Sequence, residues 1–325
     1  MNSFERKEFW DVLCSVQDGS PECIKEIQGA IKKPEFLCRF RSVNENTLIQ
    51  LQENKLYYSS ADYYDDPFDT FIHVDIPSIK QWYKYLQDVL YSNSADLHNN
   101  LTALEPVIGI GADTFMQNLK DYPLDIHAFP ERIKHIRNII QKNLFSICFC
   151  ENALNETLWL KYANNYKEYA LIYNRRDSET FLCGKEDIGE NCISAIEKPG
   201  IYPIYYTDEA YNATIFALAS LLWEGKENIS PQLLELSYKA VVWEAERISL
   251  IKKKCHKYDK EWRMIRPSMS TNRTYIKMRP CKVLLGMRMP EYERALVTAA
   301  AKCAGISIIE ELYINDLYIL DSKAI

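Results

Sequence analysis

The segment NLFSICFCE constrains the fold more than any other part of this chain. Phe145, Ile147 and Phe149 alternate with Ser146, Cys148 and Cys150. A period of two sends alternate side chains to opposite sides of an extended backbone, so this stretch predicts a strand, and a central position in a sheet suits it best. Shorter segments share the texture. FLCRFRS, KLYYSS, IYPIYYTD, KYDKEWRMIRP and CKVLLGM read as further strands, TYIKMRP as an extended segment, and SIIEELYINDLYIL returns to extended structure near the C-terminus.

Between these strands the period changes to that of a helix. Helices are predicted over Phe4 to Val16 and Pro21 to Lys32, the second with Ser20 as cap and Pro21 already fixed at a helical φ. Asn44 to Asn54 reads as a short helix, TLWLKYANNYKEYALIYN as a short helix running into a strand, and Glu291 to Cys303 as the last helix. Two longer blocks, near residues 77–142 and 210–250, are read as helical insertions, the second with a cap-and-proline start at Ser230 and Pro231. The isolated Gly109 and Gly111 of VIGIGAD are read as a flexible bend. The expected fold class is therefore α+β: a helical extension over residues 1–35, then one α+β domain over 36–325 that carries the insertions.

Composition limits the partners. With 39 Lys and Arg against 45 Asp and Glu, the formal net charge is −6, which excludes a basic domain held to nucleic acid by charge alone, and no nucleic-acid partner is predicted. Twenty-two Tyr make the chain rich in rings whose hydroxyls need water or a partner, a composition suited to β structure and to a stacking pocket. The start, MNSFERKEFWDVLC, carries Glu5 and Glu8 and lacks a signal-type apolar core, so a cytoplasmic location is expected. The longest buried span, Ala213 to Trp223, falls well short of the roughly 20 residues that cross a bilayer, and no membrane partner is expected. Ten scattered Cys without zinc-ribbon spacing read as mostly reduced thiols. Oligomeric state is left open, since an aromatic-rich surface and an aromatic-rich core look alike in sequence.

Several residue sets carry chemistry. Arg39 and Arg41, two apart on a strand, share a face and can clamp a diphosphate or a set of carboxylates; a solvated sheet face with ion pairs accounts for them equally well. Tyr57 and Ser59 share one face of the next strand, where a ring can stack on a planar ligand while a hydroxyl bonds it. Asp259, Glu261 and Arg263 align opposite Trp262, which faces the core; a carboxylate there is placed to stabilise positive charge on a reacting sugar, or is simply solvated. Asp62, Asp65, Asp66 and Asp69 in DYYDDPFD can bind a hard cation, but a turn satisfying its own backbone is the stronger reading. Cys148 and Cys150 read as buried thiols, His256 beside Cys255 as chance composition, and Trp159, Tyr162 and Tyr166 as one helical face, which packing explains as well as a functional role does.

There is no GxGxxG after a strand, no P-loop, no HExxH and no GxSxG, which lowers Rossmann, P-loop, zinc-protease and hydrolase readings. The ordered set RFRS (Arg39 to Ser42), LYYSSADYYDDPFD (Leu56 to Asp69), FSICFCE, LWLKYANNYKEYALIY, YDKEWRMI and CKVLLG resembles a bacterial family of uncharacterised proteins. Members of that family carry a short strand with Arg, a strand ending in serines, an Asn-Asp-Pro-Phe-Asp or Glu turn, a Trp-x-x-Tyr-Ala segment and Glu-Trp-Arg. Here Asp65 stands where Asn is usual.

That family is in turn distantly similar to the ADP-ribosyltransferase superfamily. The similarity implies a split β-sheet core around a cleft for NAD and a triad in the order Arg, Ser or Tyr, Glu, an order occupied here by Arg41, Ser59 or Tyr57, and Glu261. On that resemblance Arg41 with Arg39 holds the NAD diphosphate, Tyr57 packs near nicotinamide, Ser59 bonds the ribose or its surroundings, and Glu261 binds a ribose hydroxyl and stabilises the oxocarbenium-like centre. Asp259 matches loosely an acidic or amide position two before that glutamate in some transferases. The acceptor is left open among protein, nucleic acid and water. Two alternatives stand beside this expectation: a non-catalytic regulatory protein binding a nucleotide or another anion in the same cleft, and a metal-dependent nuclease or phosphoesterase using Asp65, Asp66, Asp69 and Glu261.

Overall fold

Helix starts near the N-terminus lie at residues whose side chains can take an orphan N–H. In the computed structural model, which describes residues 1–81, 129–174, 201–224, 238, 241–267 and 275–325, α1 spans Ser3–Ser15 and opens with a capping box between Asn2 and Glu5. Ser20 accepts from Cys23 N at the start of α2, Pro21–Gly29, and Asn44 accepts from Thr47 N at the start of α3, Glu45–Gln52. The helical extension is built into the main core, where Phe9 and Leu13 of α1 are fully buried with Ile147, Phe149 and Trp262.

The strands are β1 Phe36–Arg41, β2 Lys55–Tyr57, β3 Ser59–Ser60, β4 Leu144–Cys150, β5 Tyr169–Asn174, β6 Ile201–Pro203, β7 Tyr205–Tyr206, β8 Ile251–Lys252, β9 Glu261–Pro267, β10 Tyr275–Lys277, β11 Lys282–Leu285, β12 Ile309–Ile314 and β13 Leu320–Ala324. Nine of them form one mixed sheet in the order β13-β12-β11-β5-β1-β4-β9-β6, with β3 also on β4. Among the described residues only β11 and β12 pair in parallel within it. The remaining helices among the described residues are α4 Phe129–Asn143, α5 Glu156–Tyr162, α6 Thr214–Glu224, α7 Glu244–Ser249 and α8 Glu291–Cys303. One sheet face meets the main core; the other carries a second cluster around Trp159 and Ala163 with Cys38, Ala170 and Leu284. The chain is a mixed α+β fold with helices around a multi-stranded sheet.

Three predicted strands divide. KLYYSS becomes β2, paired with β10, and β3, paired with β4, with buried Tyr58 between them. IYPIYYTD becomes β6 on β9 and β7 on β8, in separate sheets: Ile204 N still donates to Glu261 O at 3.0 Å, and from Tyr205 the chain pairs with β8 instead. KYDKEWRMIRP is a 3-10 helix through Asp259, ended by Lys260 at φ 43°, and the strand begins only at Glu261. The 77–142 block is described at its two ends, and its middle, with Gly109 and Gly111, lies outside the described residues, as does the Ser230–Pro231 start. Every cysteine among the described residues is a free thiol, and no helix among them is long and apolar enough to cross a membrane.

Candidate functional site

The site arises from how the edge of β4 is shared. β9 pairs along all of β4, from Leu144↔Pro267 to Cys150↔Glu261, and so takes one edge completely. On the other edge β1 pairs only at Cys38↔Cys150, and β3 takes over at Ser59↔Ser146 and Ser60↔Phe145. β1 meanwhile stays bonded to β5 over its full length. Where β1 leaves β4 a cavity of about 410 Å³ opens. It is lined from both faces of β1, by Cys38 and Phe40 as well as by Arg39 and Arg41, because β1 has no neighbour on that side. The size falls in the roughly 300–1,000 Å³ range of small-molecule sites.

Part of the same lining is an ion network. Glu261, the first residue of β9, is 4% exposed; Oε1 accepts from Arg263 Nε at 2.7 Å and Oε2 from Lys252 Nζ at 2.9 Å. Arg263, two residues on and so on the same face, forks onto Asp69 at 2.7 and 2.5 Å and donates to Ser249 O at 2.8 Å. Its guanidinium lies over the Tyr64 ring, 4.9 Å from the centroid. Asp259 Oδ2 accepts from Lys252 Nζ and from the Tyr162 hydroxyl, each at 3.3 Å. His256 Nε2 sits 3.1 Å from Asp66 Oδ2, off the line of a directed hydrogen bond.

Two opposing forces set the protonation states. Burial pushes the Glu261 carboxyl up, but Arg263 and Lys252 outweigh it and hold the group at about 2, permanently ionised near neutrality. Burial also works against the charge of Lys252, and Glu261 more than restores it. Asp259 is raised by burial, with Lys252 pulling down and Glu261 pushing up. The Arg39 guanidinium is lowered to about 10 by burial and by Arg41 beside it, and Cys148 is raised to about 11 by burial and by Glu261. Arg41 donates to Gln50.

Of the residues nominated by sequence spacing, Arg39, Arg41 and Glu261 line this cavity, and Ser59 and Tyr57 lie outside its lining. Ser59 is exposed on β3, and Tyr57 sits in the two-stranded β2–β10 sheet with its ring 5.3 Å from that of Tyr275. The break at Tyr58 is the physical reason: with KLYYSS divided between two partners, the two side chains no longer project into one hollow. The rings that do line the cavity are Phe40, Tyr63, Tyr64 and Tyr162, with Tyr63 largely exposed. Asp259 lines it from the 3-10 helix rather than from a strand.

The Asp-rich turn divides its labour. Asp62 accepts from Ser60, and Asp66 Oδ1 accepts from Phe68 N at 2.9 Å, as a self-satisfied turn requires, while Asp69 is spent on Arg263. Among the described residues no group of three or more His, Cys, Asp or Glu side chains is arranged to hold a metal ion. Sequence reasoning passed over Lys252 and Lys161 and set His256 aside. For His256 the usable signal was its spacing of three from Asp259 across one turn; nothing local marks Lys252 in LIKKKCH. No family model matches the chain, and neither a curated protein nor a solved structure matches it.

Proposed function

We propose that the cavity binds a nucleotide-type small molecule, NAD, and that the protein transfers its ADP-ribosyl group to an acceptor. One observation carries the reading: two guanidiniums and a carboxylate held ionised line one ligand-sized hollow at a parting of the sheet. This parting is also what supports a likeness to the split core of ADP-ribosyltransferases. Arg39 and Arg41 supply donors for the diphosphate. Glu261 supplies fixed negative charge beside the anomeric carbon as its bond to nicotinamide nitrogen breaks and the electron pair leaves with nicotinamide. The acceptor's nucleophilic atom then bonds that carbon and gives up its proton. Ser59 and Tyr57 have no part in this scheme; Tyr63 at the cavity offers the ring.

The test is nicotinamide release from NAD by the full chain, with and without candidate acceptors. Glu261→Gln keeps the shape and removes the charge, and is expected to slow release at least tenfold, about 1.4 kcal/mol of barrier. Unchanged release overturns the assignment. A second reading, binding without turnover, is favoured by a specific feature: both Glu261 oxygens are already taken by Arg263 and Lys252. Measurable NAD binding by calorimetry with no nicotinamide release would select it. The metal-dependent alternative requires Asp69 and Glu261 to exchange these same cations for a metal.

A further inference from the structure

Seven buried side-chain polar atoms among the described residues have no hydrogen-bond partner, and four of them belong to residues that line this same cavity: Arg39 Nη1, Asp66 Oδ2, His256 Nδ1 and Asp259 Oδ1. Polar atoms withdrawn from water are normally paired, so a concentration of orphans in one hollow marks groups meant for a ligand. They fall into two kinds. Arg39 on β1 is a donor suited to an anion. The other three come from the turn after β3 and from the 3-10 helix Lys254–Asp259, and they ask for something else.

Asp259 decides what. It is 1% exposed, and its Oδ2 is held by Lys252 and Tyr162, so Oδ1 is a buried acceptor left unpaired in the cavity wall. The occupant must therefore donate a hydrogen bond. Lys252 Nζ, 3.3 Å from the other oxygen of the same carboxylate, would repel a cation bound at Oδ1, which favours a neutral donor. His256 stands next to it, with Nδ1 3.9 Å from Asp259 Oδ2, and an imidazole nitrogen donates or accepts according to tautomer. Hydroxyls, each both donor and acceptor, match this mixed set better than an amine or a second phosphate does.

We infer that Asp259, His256 and Asp66 form a sugar-hydroxyl subsite, and that the cavity takes phosphorylated sugars of the nucleotide class with the phosphate at Arg39 and free ribose hydroxyls at Asp259. This rests on the nucleotide reading of the cavity and adds to it a polarity for the ligand and a preference for hydroxylated sugar.

Calorimetry on the full chain with three probes tests it: ADP-ribose, its analogue lacking the 2- and 3-hydroxyls on both riboses, and inorganic pyrophosphate. The wild-type protein is expected to bind ADP-ribose at least tenfold tighter than the deoxy analogue. In Asp259→Ala that preference collapses, while pyrophosphate affinity changes by less than twofold; in Arg39→Ala pyrophosphate binding falls at least tenfold. Equal wild-type affinity for the two sugars overturns the subsite, as does absent ADP-ribose binding or an equal loss of pyrophosphate and ADP-ribose in Asp259→Ala. The wild-type comparison stands even where a variant fails to fold. Hydroxyl-dependent binding without nicotinamide release rejects only the catalytic reading, whereas release with hydroxyl-independent binding rejects only the subsite.

Discussion

Glu261 concentrates the chemistry of the cavity in one buried charge, and its surroundings set how that charge responds to acid. Its carboxyl lies at about 2 in the fold against 4.5 in the open chain, because Arg263 and Lys252 overcome the cost of burial. A depressed folded value means that the stabilisation is complete above about 4.5 and is lost as pH falls toward about 2. That difference is on the order of 3 kcal/mol for a fully buried group. Asp259 and Glu246, raised by burial, act with the opposite sign: each costs stability at high pH and relieves that cost as pH falls through its raised value. Urea unfolding at pH 5 and pH 3 separates the terms. The wild-type protein should lose more stability over this interval than Glu261→Gln, and parallel losses would show that the carboxylate draws no net stabilisation from its two cations. Arg263 is the centre of this network because it joins Glu261, two residues away, to Asp69, 194 residues away.

At the scale of elements, the turn between α5 and β5 places one edge of the cavity. Asn164, Asn165 and Tyr166 take φ of 42°, 56° and 66°, a left-handed run that Asn tolerates and Tyr does not readily adopt. It reverses the chain after Tyr162, returns Lys167 N to Ala163 O at 2.9 Å, and lays the Tyr166 ring flat on Trp159, centroids 6.1 Å apart. The i, i+3, i+7 spacing of Trp159, Tyr162 and Tyr166 predicts a single helical face; the contact is real for the outer pair, but the turn makes it rather than the helix. Gly286 locks the arrangement. Its N–H donates to Glu168 O at 2.9 Å, and an added Cβ would stand 2.1 Å from Tyr166 O and 2.7 Å from Glu168 O, both backbone atoms. Gly286→Ala is expected to cost about 3 kcal/mol as the turn is pushed off β11, read as a lowered urea midpoint and Tm. A loss below about 0.5 kcal/mol, the range of ordinary surface changes, would show that the turn moves freely.

Across the whole molecule, the N-terminal helix supports the site from behind. Arg6 of α1 donates through Nη1 to Ile204 O at 2.8 Å and Glu261 O at 2.9 Å, and through Nη2 to Glu151 at 2.7 Å, with its guanidinium 5.7 Å from the Trp262 ring centroid. Arg6→Met keeps much of the packing but leaves two buried carbonyls without this donor, so a loss of about 3 kcal/mol by urea unfolding is expected. A change within 0.5 kcal/mol would mean that α1 is only appended. Local pattern made much of the molecule legible. The alternation in NLFSICFCE marks β4, the caps at Ser20 and Asn44 mark α2 and α3, Glu291–Cys303 is the last helix, and two-residue spacing pairs Arg39 with Arg41 and Glu261 with Arg263. These follow from periods and caps acting within a few residues. Tertiary structure alone decided where β1 parts from β4, that Ser59 lies outside the lining to which Arg41 belongs, and that Lys252, Asp69 and His256 meet at Glu261's wall. Strand order and the neutralisation of buried charge depend on distance through space, which residue spacing does not encode.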